Sequence, residues 1–127
     1  MPTLNTFFTK LICALSGLKQ VWHTQIHFKA HVIMSLLATL LGFTLSISIR
    51  EWALLILVIF IVLITETVNT ALETQINLIS PTYHPLAKQT KDIASGAVLL
   101  SAILAISVGT LIFFPKLNLL WSSIIGH

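Results

Sequence analysis

The stretch Trp52–Asn77, WALLILVIFIVLITETVNTALETQIN, decides how the rest of the chain is read. From Trp52 to Thr65 it carries no charge, and the apolar pattern runs on past Glu66 to about Leu72. A helix needs about 20 predominantly apolar residues to cross the hydrocarbon core of a bilayer. This segment reaches that length only by carrying Glu66 and Asn69 inside the membrane or near its edge. Ionisable groups at that depth are costly, so each one is a functional candidate. Glu66, Asn69, Glu73 and Asn77 follow one another at spacings of three, four and four. At about 100° per residue, all four fall within roughly 80° of one another on a helix wheel. One helix face therefore turns polar toward its C-terminal end, from Glu66 at membrane depth to Asn77 at the aqueous edge.

Two further uncharged segments flank this one, Val32–Ile49 before it and Ile93–Pro115 after it. Arg50-Glu51 reads as the short turn between the first and second spans. Ser80 to Pro85 reads as the loop between the second and third, because its two prolines break a helix interior. Before the first span, Phe7, Phe8, Leu11, Ile12, Leu15, Leu18 and Trp22 recur at helical spacing. Lys10, Lys19, Gln20 and His23 fall elsewhere on that wheel, the pattern of an amphipathic helix lying in the membrane surface. The apolar run is too broken for a signal peptide. The expected architecture is all-α and integral to the membrane, one domain over 1–127. A surface helix over about 3–23 precedes transmembrane helices over about 28–49, 52–79 and 86–115. The tail after Lys116 is expected to rest at the far interface through Trp121.

Composition agrees. Of 127 residues, 56% are hydrophobic and 9% charged, against about a quarter charged in a soluble domain. Seven Lys+Arg and four Asp+Glu cannot coat a water-soluble globule, which excludes most cytosolic enzymes and a disordered chain. The net charge of +3 is not clustered as a nucleic-acid surface requires. A single cysteine, Cys13, excludes an internal disulfide and a multi-cysteine metal site. Lys10, Lys19, Lys29, Lys88 and Lys91 fall on one side of the membrane, Arg50 and Lys116 on the other. The positive-inside rule then puts the N-terminus and the second loop in the cytoplasm and the C-terminus outside.

A carboxylate at membrane depth suits the uptake of a proton. A second carboxylate two turns away, near water, suits a divalent cation with oxygen ligands. Lys88, Lys91 and Asp92 follow in the cytoplasmic loop, and ammonium groups neutralise phosphate. Together they are compatible with phosphoryl transfer. A stripe that only hydrogen-bonds neighbouring helices and a proton-coupled transporter are the other readings of the same residues. The five glycines are scattered and no phosphate-binding glycine loop is present.

ETVNTALE, Glu66–Glu73, followed by YHPLAKQTKDIASGAVLLSAI, Tyr83–Ile103, strongly resembles the small bacterial integral-membrane lipid kinases, the family of prokaryotic diacylglycerol kinase and undecaprenol kinase. GLKQVWHTQIHFKAH, Gly17–His31, resembles the N-terminal stretch of that family. The resemblance implies a homotrimer in the bacterial inner membrane. It implies Mg²⁺-dependent transfer of the ATP γ-phosphate to a lipid hydroxyl, diacylglycerol giving phosphatidic acid, with undecaprenol as the alternative acceptor. By motif position Glu66 resembles the general base, with Asn69 beside it. Glu73 and Gln25 stand at metal and nucleotide positions. Thr82, Tyr83, His84, Lys91 and Asp92 match positions near the nucleotide, and Glu66 and Ser95 are the residues expected at the lipid substrate.

The chain departs from the pattern at two places. Gln25 stands where the family usually has Glu, and Asn77 where it tends to have Asp. A site with two fewer negative charges is expected to bind Mg²⁺ more weakly, and a non-catalytic descendant is a further reading. His23, His27 and His31, four apart, are expected at the interface, since no carboxylate or cysteine accompanies them in sequence. Trp22, Trp52 and Trp121 read as interface anchors.

Overall fold

A computed structural model describes residues 4–126. The described residues form four helices: α1 (Leu4–Thr24), α2 (Ile26–Thr44), α3 (Ile49–Ile79) and α4 (Pro85–Ile125). The last three are long and apolar enough to cross a membrane. At 1.5 Å per residue, the 31 residues of α3 reach about 46 Å and the 41 of α4 about 61 Å. α4 packs along α3, α2 lies against α3, and α1 touches the adjoining parts of α2 and α3.

Most of the large apolar side chains point outward, including Leu36, Phe60, Leu100 and Leu111. On a soluble monomer, exposed apolar patches rarely exceed a few hundred Å². Here they sheathe all three long helices, as surfaces that meet lipid do. The buried residues form a thin seam instead. Ile47, Leu55 and Ile112 pack together, with Trp52, Ile59 and Phe113 against them.

The α2–α3 connection lies earlier than Arg50-Glu51. α2 ends at Thr44, and Leu45–Ser48 make the turn. Arg50 and Glu51 are already helical. The reason is a capping box, S-I-R-E, over Ser48–Glu51. Ser48 Oγ accepts from the Glu51 amide at 3.3 Å, while Glu51 Oε2 accepts from the Ser48 amide at 2.6 Å. Within the turn, Ser46 adopts φ 49°, the left-handed region. Gly42 lets the turn close. A Cβ there would sit 3.0 Å from both Ile47 Cδ1 and Trp52 Cη2. Glu51 also meets Lys116 at 3.3 Å, which ties the start of α3 to α4.

The third span also differs from expectation. The helix does not stop at Pro115 but continues to Ile125. Proline removes one backbone donor, a defect that transmembrane helices tolerate. The Ser80–Pro85 loop forms as the prolines require, with Pro85 as the first residue of α4.

Candidate functional site

The buried residues of α3 are Leu55, Val58, Val62, Glu66, Asn69 and Thr70. They recur at three- and four-residue steps, so one face of α3 is apolar in its first half and polar from Glu66 onward. Opposite the polar half, the chain breaks at Gln25. Its extended backbone, φ −109° and ψ 112°, separates α1 from α2 and makes it the N-cap of α2. The break sets Gln25 and the first turns of α2 beside the polar face.

A cleft of about 630 Å³ results. α3 contributes Glu66, Asn69 and Glu73 to its wall. Gln25, His27 and His31 come from the break and α2, and Ser95 and Ala102 from α4. Five of the residues expected at the site, Gln25, Glu66, Asn69, Glu73 and Ser95, are therefore brought together.

Glu66 is 3% exposed. Its backbone carbonyl accepts from Thr70 Oγ1 at 2.9 Å. Among the described residues its carboxyl group has no hydrogen-bond partner, and it faces the cleft. Asn69 donates through Nδ2 to Glu73 Oε1 at 3.1 Å. A carboxylate only accepts, so this bond fixes the amide orientation and turns Oδ1 away. Oδ1 is buried with no partner among the described residues. Such an acceptor is costly to leave unmet, and its place in the cleft wall suits a ligand that donates or a cation.

The remaining expected residues lie beyond the cleft, Thr82, Tyr83 and His84 in the loop between α3 and α4, and Lys91 and Asp92 in the first turns of α4. Thr82, Tyr83, His84 and Lys91 line a second hollow, of about 360 Å³, with Asn77 at its side. Asn77 follows Glu73 by four residues and Lys91 precedes Ser95 by four, so the two spaces are stacked along the same helix pair. Lys91 Nζ donates to Asn77 Oδ1 at 2.6 Å. The partner is a neutral amide, so the positive charge of Lys91 is uncompensated. Lys88 lines the same hollow, but its charge is paired with Asp92. Asp92 lines neither space. His84 also caps α4, its Nδ1 accepting from the Leu86 amide at 3.2 Å.

His23 ends up on α1, across the break, while His27 and His31 line the cleft with Glu66 and Glu73. The four-residue spacing was visible in the sequence. The carboxylates that accompany the two histidines come from another helix, some forty residues on, and no local pattern could supply them. No cluster of three or more His, Cys, Asp or Glu side chains able to hold a metal occurs among the described residues. That donor set still fits Mg²⁺, which keeps several waters and takes one or two carboxylates plus substrate phosphates rather than an all-protein cage.

The family model described as prokaryotic diacylglycerol kinase matches residues 12–113. The chain is 38% identical to the undecaprenol kinase of Bacillus subtilis (strain 168) over 114 residues, covering 90% of this chain and 93% of the other. It is 35% identical to a diacylglycerol kinase of Helicobacter pylori (strain 26695), covering 76% of this chain and 75% of the other. With the diacylglycerol kinase of Escherichia coli (strain K12) it shares 32% identity, over 84% and 90% of the two chains.

Proposed function

The chain belongs to the prokaryotic diacylglycerol kinase family of membrane lipid kinases, and from that premise we propose that it moves the γ-phosphate of ATP onto the hydroxyl of a membrane lipid at the Glu66 cleft. The lipid oxygen attacks the γ-phosphorus, the bond to the bridging oxygen of ADP breaks, and the hydroxyl proton passes to the Glu66 carboxylate. The observation that carries this is Glu66, a residue only 3% exposed that lines the cleft and whose carboxyl has no hydrogen-bond partner among the described residues. A general base needs a free acceptor atom within reach of the proton that it removes.

Asn69 holds Glu73 in place through its 3.1 Å bond. Glu73, with the Gln25 carbonyl, would hold Mg²⁺, which when bound neutralises charge on the phosphates. Lys91 supplies the ammonium for the phosphate chain, and Thr82, Tyr83 and His84 form the wall around the rest of the nucleotide. Ser95 stands on the lipid side. The exposed apolar side chains of α1, Phe7, Phe8, Leu11, Leu15 and Leu18 among them, suit a helix lying in the inner-membrane surface. The lysine distribution supports a cytoplasmic N-terminus and active site. We take the working unit to be a homotrimer, on the family resemblance.

Diacylglycerol is one acceptor reading. Undecaprenol is the second, favoured by the 38% identity to an undecaprenol kinase over nearly its whole length. The test incubates the purified protein with labelled ATP, Mg²⁺ and each lipid in mixed micelles. Label is expected in one of the two lipids. Label in neither, from a folded protein, would refute the assignment.

A further inference from the structure

Among the described residues the core seam includes Ile112 and Phe113 of α4 and nothing beyond them. Lys116 meets Glu51 at 3.3 Å, and Glu51 stands in the first turn of α3. These two charges close the uncharged runs of α4 and α3 at the end of the molecule opposite the Glu66 cleft, the level where hydrocarbon gives way to water. α4 nevertheless continues to Ile125. Residues 117–125 project past that level as about 14 Å of helix. They also lie beyond the residues that the family model matches.

The projecting segment, LNLLWSSII, has no charged residue. Leu117, Leu119, Leu120, Trp121, Ile124 and Ile125 are all exposed. At about 100° per residue, Leu117, Leu120, Trp121, Ile124 and Ile125 share an arc of about 140°. Asn118, Ser122 and Ser123 fall outside it, with Leu119 as the one large apolar side chain among them. The serine hydroxyls are satisfied within the helix. Ser122 Oγ donates to the Leu119 carbonyl at 2.9 Å, and Ser123 Oγ to the Leu120 carbonyl at 2.7 Å. Phe114, Leu117, Asn118, Leu120, Trp121 and Ile124 line a hollow walled by α4 alone. Just before the segment, Pro115 has no amide hydrogen to give the Leu111 carbonyl. The helix therefore bends most readily at the level of Lys116.

We propose that residues 117–125 are a second membrane-surface anchor, which bends at Pro115 and lays its apolar arc into the bilayer face opposite the cleft. A straight continuation would hold these large apolar side chains in water, where apolar surface is unfavourable. The lipid-facing surface of α4, with Leu111 and Phe114 exposed on it, runs without a break into the arc, so lipid is the occupant that continues what already covers the helix. A second copy of the chain fits less well. Charges or paired hydrogen bonds set the register of a protein partner, and this segment has no charge and only the Asn118 amide to offer. Lipid needs no register. A tryptophan among aliphatic side chains suits the headgroup boundary, where the ring is apolar and its N–H wet. The lack of charge also sets this anchor apart from α1, which carries Lys10 and Lys19. It should hold zwitterionic and anionic bilayers alike and be indifferent to salt. Anchored in this way, α4 resists sliding along α3, and Lys91 and Ser95 near its other end keep their level.

The test uses the full chain in phosphatidylcholine bilayers whose acyl chains are brominated either near the headgroup or at their deep end. The Trp121 signal is the difference in fluorescence between each protein and the same protein carrying Trp121→Phe, since Trp22 and Trp52 are common to both. Shallow bromines should quench Trp121 and deep ones far less, equally at low and high salt and with or without added anionic lipid. Pro115→Ala, which restores the amide hydrogen, should lose most of the shallow quenching. So, independently, should the pair Leu120→Asp and Ile124→Asp, with the oligomeric mass unchanged. Absence of quenching at either depth in the wild type would leave the segment in water and overturn the anchor. A fall in oligomeric mass in the aspartate pair would overturn it in favour of a contact between copies. Stronger quenching from the deep bromines would mean that the segment continues across the bilayer instead of lying in its surface. Quenching that needs anionic lipid or low salt would overturn the charge-independent mode, and full shallow quenching in Pro115→Ala would overturn the bend.

Discussion

Replacing Glu66 by Gln keeps the size and polarity of the side chain and removes only its capacity to take a proton. The structure makes this substitution unusually clean. The Glu66 carboxyl has no hydrogen-bond partner among the described residues, so no protein–protein bond is broken. The bond from Thr70 Oγ1 goes to the Glu66 backbone carbonyl and persists in the variant. The neutral amide is also easier to bury than a charge, so stability should stay within about 1 kcal/mol of wild type. Loss of a positioned general base typically lowers the rate about 10²–10⁴-fold. At about 1.36 kcal/mol per decade, that is roughly 2.7–5.4 kcal/mol on the barrier. Activity and stability should therefore separate by several-fold in energy, which a merely structural glutamate would not do. The assay is the initial rate of lipid phosphorylation at saturating ATP, read beside the thermal unfolding midpoint and the ATP affinity of the same preparation. A variant retaining half the wild-type rate would end the general-base assignment. A variant that loses rate and fold together would return Glu66 to a packing role.

Three other perturbations address neighbouring parts of the site and fold. Lys91→Ala should raise the ATP KM or lower kcat, because its charge faces only the neutral Asn77, whereas Lys88→Ala should do far less, because Asp92 already compensates it; equal effects in steady-state kinetics would reduce both to general positive charge. Gln25→Glu adds a third carboxylate to the cleft, beside Glu66 and Glu73, and a second at the proposed metal position, so half-maximal activity should come at lower Mg²⁺ than in wild type; superimposable Mg²⁺ titrations would remove position 25 from the metal. Gly42→Val should destabilise the α2–α3 turn by about 1–3 kcal/mol, since even a Cβ sits 3.0 Å from the Trp52 ring; an unchanged unfolding midpoint would show that the indole moves away freely.

Much of this protein is local and so was legible in the chain. Membrane spans follow from runs of apolar side chains long enough to replace water by lipid, and the polar stripe Glu66–Asn77 follows from the 3.6-residue period of one helix. The Ser80–Pro85 loop follows from what proline forbids. The start of α3 was also written in the sequence, as Ser48-Ile49-Arg50-Glu51, but two charges beside an apolar run look like a turn unless the capping box is noticed. Pro115 misled for a related reason: one missing donor does not outweigh the satisfied hydrogen bonds of the turns on either side. What only the tertiary structure decided is which helices face one another. A sequence states that Glu66 is polar at membrane depth, not that Gln25, His27 and His31 stand across from it. It does not state that Lys91 meets Asn77 rather than Asp92. Those pairings depend on how ridges of α2 and α4 settle against α3. Side chains far apart along the chain set that packing jointly, and no single stretch contains it.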